Sequence, residues 1–182
     1  MPAKPPPLPE AVYHRVMSVA KAEGYSILIV AGLSAFLAAA AGGAFTAVLA
    51  CLAAGTGAME IHGAQQLARG DERAINWLVR AQLSLLLIIL VYVFWRITHF
   101  DAALVREQIP EFRRQMAELS QKWNSENPYD QLTDSQLVLV ARAVFTVIYC
   151  VVGVVTCVYQ PLMARYYHKR RAAIAQALAA GA

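Results

Sequence analysis

The sequence predicts an all-α polytopic membrane protein with four transmembrane helices and one amphipathic helix in a loop. Three observations predict it. The 182-residue chain is 58% hydrophobic and 15% charged, against about 45–50% and about 25% in soluble domains, and its mean hydropathy is +0.44. The charges are segregated, with none in residues 24–59, 81–95 or 143–164. These apolar runs, with their flanks, are long enough to cross a hydrocarbon core of about 30 Å. A net charge of +4 gathered into the gaps between such runs describes loops and ends, not a nucleic-acid surface, and no nucleic-acid partner is expected.

Residues 1–9, MPAKPPPLP, form a Pro-rich tail expected to be extended or disordered. Residues 10–164 hold the transmembrane bundle. Glu10 to Lys21 reads as a short helix leading into the first span, about 24–41. Lys4, Arg15 and Lys21 ahead of an apolar run, with Ala39-Ala40-Ala41 after it, have the outline of a secretory leader. The charged part is too long for one, and the segment is expected to stay as a permanent span. The charge-free run 24–59 would be about 54 Å long as one helix, so the chain must fold back. Gly42-Gly43 is the natural corner, and the second span follows at about 44–62.

The third span, about 76–96, is bracketed by Trp77 and Trp95. Their separation of about 27 Å along a helix suits a pair of interfacial anchors. Next comes an extracytoplasmic loop in which Ile109, Phe112, Met116, Leu119 and Trp123 recur every three or four residues. This is the apolar stripe of a helix at about 109–124. Such a stripe packs on the rest of the chain, lies in the headgroups or meets a partner. The fourth span, about 137–160, opens on a capping box, Thr133 with Gln136, and Pro161 near its end is placed to kink or terminate it. Residues 165–182 form a basic, then Ala-rich, cytoplasmic tail. Arg165, Lys169, Arg170 and Arg171 there are expected to face anionic lipid headgroups.

Four spans put both termini on one side. That side carries Lys4, Arg15, Lys21, Arg69, Arg73 and the four residues of the basic tail. The other carries Arg96, Arg106, Arg113, Arg114 and Lys122. Nine against five points to cytoplasmic termini in a plasma (inner) membrane.

The chemistry concentrates where the second span ends, in GAMEIHGAQQ at residues 57–66. Glu60 and His62 point about 200° apart on a helix, so they cannot hold one metal ion together. The four histidines lack the i, i+4 spacing of a zinc motif. A haem between His62 and His99 would need both at one depth, and they are not. The three cysteines, Cys51, Cys150 and Cys157, lie in apolar runs without a CxxC motif and read as packing residues. No cofactor or metal is expected.

If the turn between the second and third spans centres on Arg69–Glu72, Glu60 lies level with Ala81, beside Arg80, and Gln65 lies level with Asn76. Side chains lean toward the N-terminus of their helix. Arg80 and Arg142 therefore snorkel to the interface from which their helices enter, whereas Glu60 leans into the membrane. An unpaired carboxylate there is costly, so an ion pair or hydrogen bond to Arg80 is expected. Glu60 shares a face with the small residues Ala53, Thr56, Gly57, Gly63 and Ala64, and the first span adds Gly32, Ser34, Ala35, Ala38 and Ala39. Such faces allow close helix contact. Glu60 stays open between a tight helix contact and a narrow polar path, and an ionisable residue inside a span is a functional candidate by default. His62 points elsewhere, toward the headgroups with Gln65.

No phosphate loop, nucleophile elbow or intramembrane carboxylate pair marks an enzyme. Two functions fit: a small oligomeric channel or transporter-type protein whose path runs along the Glu60 face with Arg80, His62, Gln65 and Asn76, or a non-catalytic scaffold or assembly subunit of a larger complex. An intramembrane enzyme or redox subunit has the least support. Expected partners are the bilayer, anionic lipid, and a second copy or another membrane protein.

Overall fold

The computed structural model describes residues 8–71, 73–123 and 131–180. Among these, six helices follow one another: α1 (Pro9–Ala40), α2 (Ala44–Ala68), α3 (Ala74–Thr98), α4 (Ala102–Trp123), α5 (Asp134–Lys169) and α6 (Arg171–Ala179), with no strand. The Pro-rich tail through residue 7, and residue 124 at the end of the expected loop helix, lie outside the described residues. Among the described residues four helices are long and apolar enough to cross a membrane: α1, α2, α3 and the stretch of α5 and α6. In each, the most apolar stretch is less than a third buried by protein. Side chains such as Ile29, Phe36, Leu87, Phe94, Val147 and Val154 are left facing outward. Apolar surface on this scale needs a cover other than water, and the four helices suggest a membrane protein.

The expected corner between the first two spans is present. Gly42 has φ of 77°, a left-handed conformation that glycine adopts without steric cost, and the Gly43 N–H donates to the Ala38 carbonyl at 2.9 Å. Gly70, with φ of 84°, turns α2 into α3, and the Asp71 side chain accepts the Arg73 N–H at 2.8 Å.

The chain divides into two compact units. The first comprises Met1–Tyr92 and Val154–Ala182. Its core is gathered at the ends of helices. Val12, Tyr13 and Val16 of α1 are buried with Leu67 of α2, Ile75 and Leu78 of α3, Tyr167 of α5, and Ile174 and Ala177 of α6. The Tyr13 hydroxyl adds a hydrogen bond to the Leu67 carbonyl at 3.3 Å. The helix expected to lead into the first span runs into it without a break, as α1. At the other end of the chain the packing corrects the expected organisation. The fourth span does not stop at Pro161, which lies within α5. Residues 165–180 are not a loose tail, because Tyr167, Ile174 and Ala177 are buried in the core.

The second unit spans Val93–Gly153. Its loop helix begins at Ala102, earlier than expected. Asp101 caps α4, its Oδ1 accepting the N–H of Ala103 at 2.9 Å and of Leu104 at 3.2 Å. Pro110 lies inside the helix on its exposed side, where water can satisfy the carbonyl that its ring leaves without a donor. Of the stripe, Ile109 is buried, while Phe112 and Leu119 are exposed; the Trp123 side chain lies outside the described residues. The capping box forms as expected: Gln136 Oε1 accepts the Thr133 N–H at 2.8 Å, and the Gln136 N–H reaches the Thr133 hydroxyl at 3.4 Å. Arg113 of α4 donates to the Leu132 carbonyl at 2.7 Å and to Asp134 at 3.0 Å, tying α4 to the start of α5. Arg96 donates from Nε to the Tyr149 hydroxyl at 3.0 Å and lies over the Phe145 ring, 5.1 Å from its centre.

Candidate functional site: a buried carboxylate cluster

The site forms where α1 and α2 come closest. A Cβ at Gly57 would lie 2.6 Å from the Gly24 carbonyl oxygen and 2.8 Å from the Leu28 nitrogen. A Cβ at Gly24 would lie 2.9 Å from the Gly57 carbonyl oxygen and 3.1 Å from the Glu60 Cβ. Only two glycines admit this backbone-to-backbone approach. Gly63 makes a second close contact, against Leu78 and Trp77 of α3. The small-residue face expected on α2 is therefore a real packing face. On α1 the closest point is Gly24; Gly32 has open space around it.

This contact sets Glu60 beside Glu23. Glu23 is 17 residues before the end of α1 and Glu60 is 16 residues after the start of α2. Both therefore sit about 24–26 Å from the Gly42 corner, at one level. Glu60 is 1% exposed. Its carboxylate accepts a hydrogen bond from the Gln82 amide of α3, and Gln82 is 0% exposed. A carboxylate only accepts, so the Gln82 nitrogen must face it and the Gln82 oxygen must turn away. The Glu23 carboxylate accepts from the Tyr167 hydroxyl of α5 at 3.3 Å. Glu60 Cβ lies 3.1 Å from a Cβ built on Gly24, the residue next to Glu23, so the two carboxylates enter the same region. Gln160, adjacent to Tyr159, is buried on the face of α5 that carries Thr156, Ala164 and Tyr167. Three acceptors in this region have no hydrogen-bond partner among the described residues: Glu60 Oε2, Gln82 Oε1 and Gln160 Oε1.

The expected ion pair does not form. Among the described residues no salt bridge joins Glu60 to Arg80, and Arg80 is exposed. The reason is helical phase. Within the first unit the buried positions of α3 are Ala74, Ile75, Leu78, Ala81, Gln82 and Leu85, a stripe at helical spacing. Arg80 lies about 200° around the helix from Gln82 and so faces outward. The expected level was right, since Ala81 and Gln82 are the residues opposite Glu60, but the partner is an amide and not a guanidinium.

The remaining expected residues lie outside this cluster. His62 is exposed, hydrogen-bonded to Gln66 at 2.9 Å and packed edge-on against Trp77. Gln65 and Asn76 are both exposed, so they add nothing to a buried path. Trp95 stacks on His99 with ring centres 3.4 Å apart. Arg142 is exposed and lines a shallow depression with Thr98, Phe100 and Ser135. In the basic segment Arg165, Lys169 and Arg171 are exposed. Arg170 is not: it lies over the Tyr166 ring, 3.6 Å from its centre, and donates to the Tyr166 carbonyl. Among the described residues no group of three or more His, Cys, Asp or Glu side chains gathers in a way that could hold a metal ion.

Sequence reasoning missed Glu23, Gln82, Gln160 and Tyr167. Gln82 was legible, because it falls in phase with Ile75 and Leu78 on a stripe that excludes Arg80. Glu23 ends the charged segment one residue before the charge-free run and so reads as a boundary. Only the Gly24–Gly57 contact reveals that it faces inward.

No protein-family model, curated protein or solved structure matches this chain.

Proposed function

We propose that this protein is a small membrane transport protein, an oligomeric channel or transporter, whose polar path runs through the Glu60 cluster. One observation carries this: a carboxylate that is 1% exposed, on a helix apolar enough to cross a membrane, with an amide for its hydrogen-bond partner and a second carboxylate beside it. Structural carboxylates in apolar surroundings are normally neutralised by a cationic side chain. Two acidic groups held together by an amide and a tyrosine are instead suited to a charge that arrives from outside. Ionisable groups inside spans mark ion and substrate pathways.

In this proposal Arg80 leaves the path and Gln82, Glu23 and Tyr167 enter it. A 20 kDa chain has little room for a private pore, so copies associate through the outward apolar faces. The helix ends that share the core of the first unit lie on the cytoplasmic side of a plasma membrane, where Arg165, Lys169 and Arg171 meet anionic lipid. No catalytic step is involved. The scaffold reading has its own support, since Phe112 and Leu119 leave an apolar patch exposed on α4 that suits a protein partner.

The test is ion flux through purified protein in sealed liposomes, wild type beside Glu60→Gln. Flux in the wild type that is lost or altered in selectivity in the variant supports transport. Silence in both, with the protein folded, favours the scaffold.

A further inference from the structure

The donors and acceptors around Glu60 do not balance. An ionised carboxylate accepts and never donates, and each carboxamide brings two donors and one acceptor oxygen. The Gln82 amide is committed to Glu60, and the Tyr167 hydroxyl to Glu23. What remains is a surplus of oxygen. Glu60 Oε2 and Gln82 Oε1 are unpartnered within one hydrogen-bonded pair, and Gln160 Oε1 is unpartnered on the adjoining face of α5. All three side chains are at least nine-tenths buried. Buried polar groups in a folded protein are nearly always satisfied, and an orphaned one costs about 1–3 kcal/mol.

The nature of the surplus narrows what satisfies it. A proton placed on Glu60 Oε2 is one donor and can return a bond to Gln82 Oε1, but it leaves the neighbouring Glu23 carboxylate charged without a cation. A small metal cation accepts several oxygens at once. Carboxylate, carboxamide and hydroxyl oxygens are hard ligands suited to hard cations. Calcium takes six to eight such ligands, and magnesium retains several waters in a strict octahedron. Two carboxylates at a helix contact that brings the Gly24 and Gly57 backbones together, with no cationic side chain paired to either among the described residues, suit a metal cation that binds oxygen.

We infer that the cluster of Glu23, Glu60 and Gln82 binds a hard metal cation through its carboxylate and carboxamide oxygens. This rests on the transport reading for its purpose, but binding can be measured without flux.

The experiment is thermal unfolding of the purified full-length protein in detergent micelles, at one pH and one ionic strength. Choline chloride is replaced stepwise by sodium, potassium or magnesium chloride. A ligand held only by the folded state raises the midpoint in proportion to RT ln(1 + [L]/Kd). At ten times Kd that is about 3–6 °C for a chain of this size. The expected result is a saturable rise that differs among the three cations, is lost in Glu60→Gln and persists in Arg80→Gln. Should Glu60→Gln fail to fold, Glu23→Gln reads the same site from α1. A midpoint indifferent to the cation in the wild type overturns the inference. So does an equal rise with all three salts that survives in both Glu variants, because that is a general effect of removing choline and not a site. A response to acid only, lost in Glu60→Gln, also overturns it and makes the occupant a proton shared among Glu60, Glu23, Tyr159 and Tyr167. A selective midpoint shift without flux in liposomes leaves the cation site standing and removes the transport reading. Flux without a shift does the reverse.

Discussion

At the scale of single residues, Gln82 determines how Glu60 is held. Its amide is the donor to the buried carboxylate, so Gln82→Leu leaves Glu60 buried without a donor. That change should cost about 1–3 kcal/mol and lower the unfolding midpoint in micelles. Arg80→Gln should stay within about 0.5 kcal/mol of wild type, because Arg80 is exposed and joins no ion pair among the described residues. Reversed effects in these two variants would restore the ion pair that the sequence suggests. The two residues also show what a sequence can and cannot tell about a membrane site. Counting back from the Arg69–Glu72 turn places Glu60 level with Ala81. Depth alone cannot choose between residues 80 and 82. The choice lies in rotation, and rotation follows the buried stripe of Ile75, Leu78 and Leu85. A charged residue attracts attention on a list of partners, yet an arginine that can snorkel has no need of an inward face.

At the scale of helices, the contact between α1 and α2 depends on glycine at one crossing. Gly57→Ala puts a Cβ within 2.6 Å of the Gly24 carbonyl and 2.8 Å of the Leu28 nitrogen. Both are backbone atoms that cannot rotate away, so the hairpin must part. Overpacking of this kind costs about 1–3 kcal/mol, and here it also separates Glu60 from Glu23. Gly55→Ala, on the same helix, meets nothing within 4 Å. It should be neutral or stabilising by up to about 1 kcal/mol, from helix propensity. Melting the two variants side by side checks the crossing point: equal midpoints would mean that the helices meet elsewhere. The hairpin was legible because 36 charge-free residues exceed one bilayer crossing and Gly42-Gly43 interrupts them. The start of α4 was legible too, because Ala102 and Val105 extend the stripe of Ile109 and Phe112 at helical spacing and are the less exposed positions of that turn. Asp101 caps the helix just ahead of them. The length of α5 was missed. Pro161 reads as a stop, yet the helix runs through it, because Ala164 and Tyr167 beyond it are buried in the first unit.

At the scale of the whole molecule, if each of the four apolar helices crosses a membrane, both ends of the chain lie on one side. Single cysteines at Lys4 and Lys169, in a background with the three native cysteines replaced, should react together with an impermeant reagent from one face of sealed vesicles. Labelling from opposite faces would mean an odd number of crossings. The same division explains why the core sits where it does. Side chains along the middle of the spans face outward and need only lipid, while the ends of α1, α2, α3, α5 and α6 build a small water-excluding core of their own. Tyr167 belongs to that core, and its hydroxyl reaches Glu23, beside which Glu60 and Gln82 are paired. A charge moving through the protein would meet these four side chains together.

The most direct measurement is cation flux into sealed liposomes carrying wild type, Glu60→Gln or Arg80→Gln at equal reconstituted amounts. Flux in the wild type and in Arg80→Gln, with loss or altered cation preference in Glu60→Gln, is the result that a path through the buried cluster predicts. Flux abolished by Arg80→Gln and untouched by Glu60→Gln, or no flux from any of the three folded proteins, would contradict it.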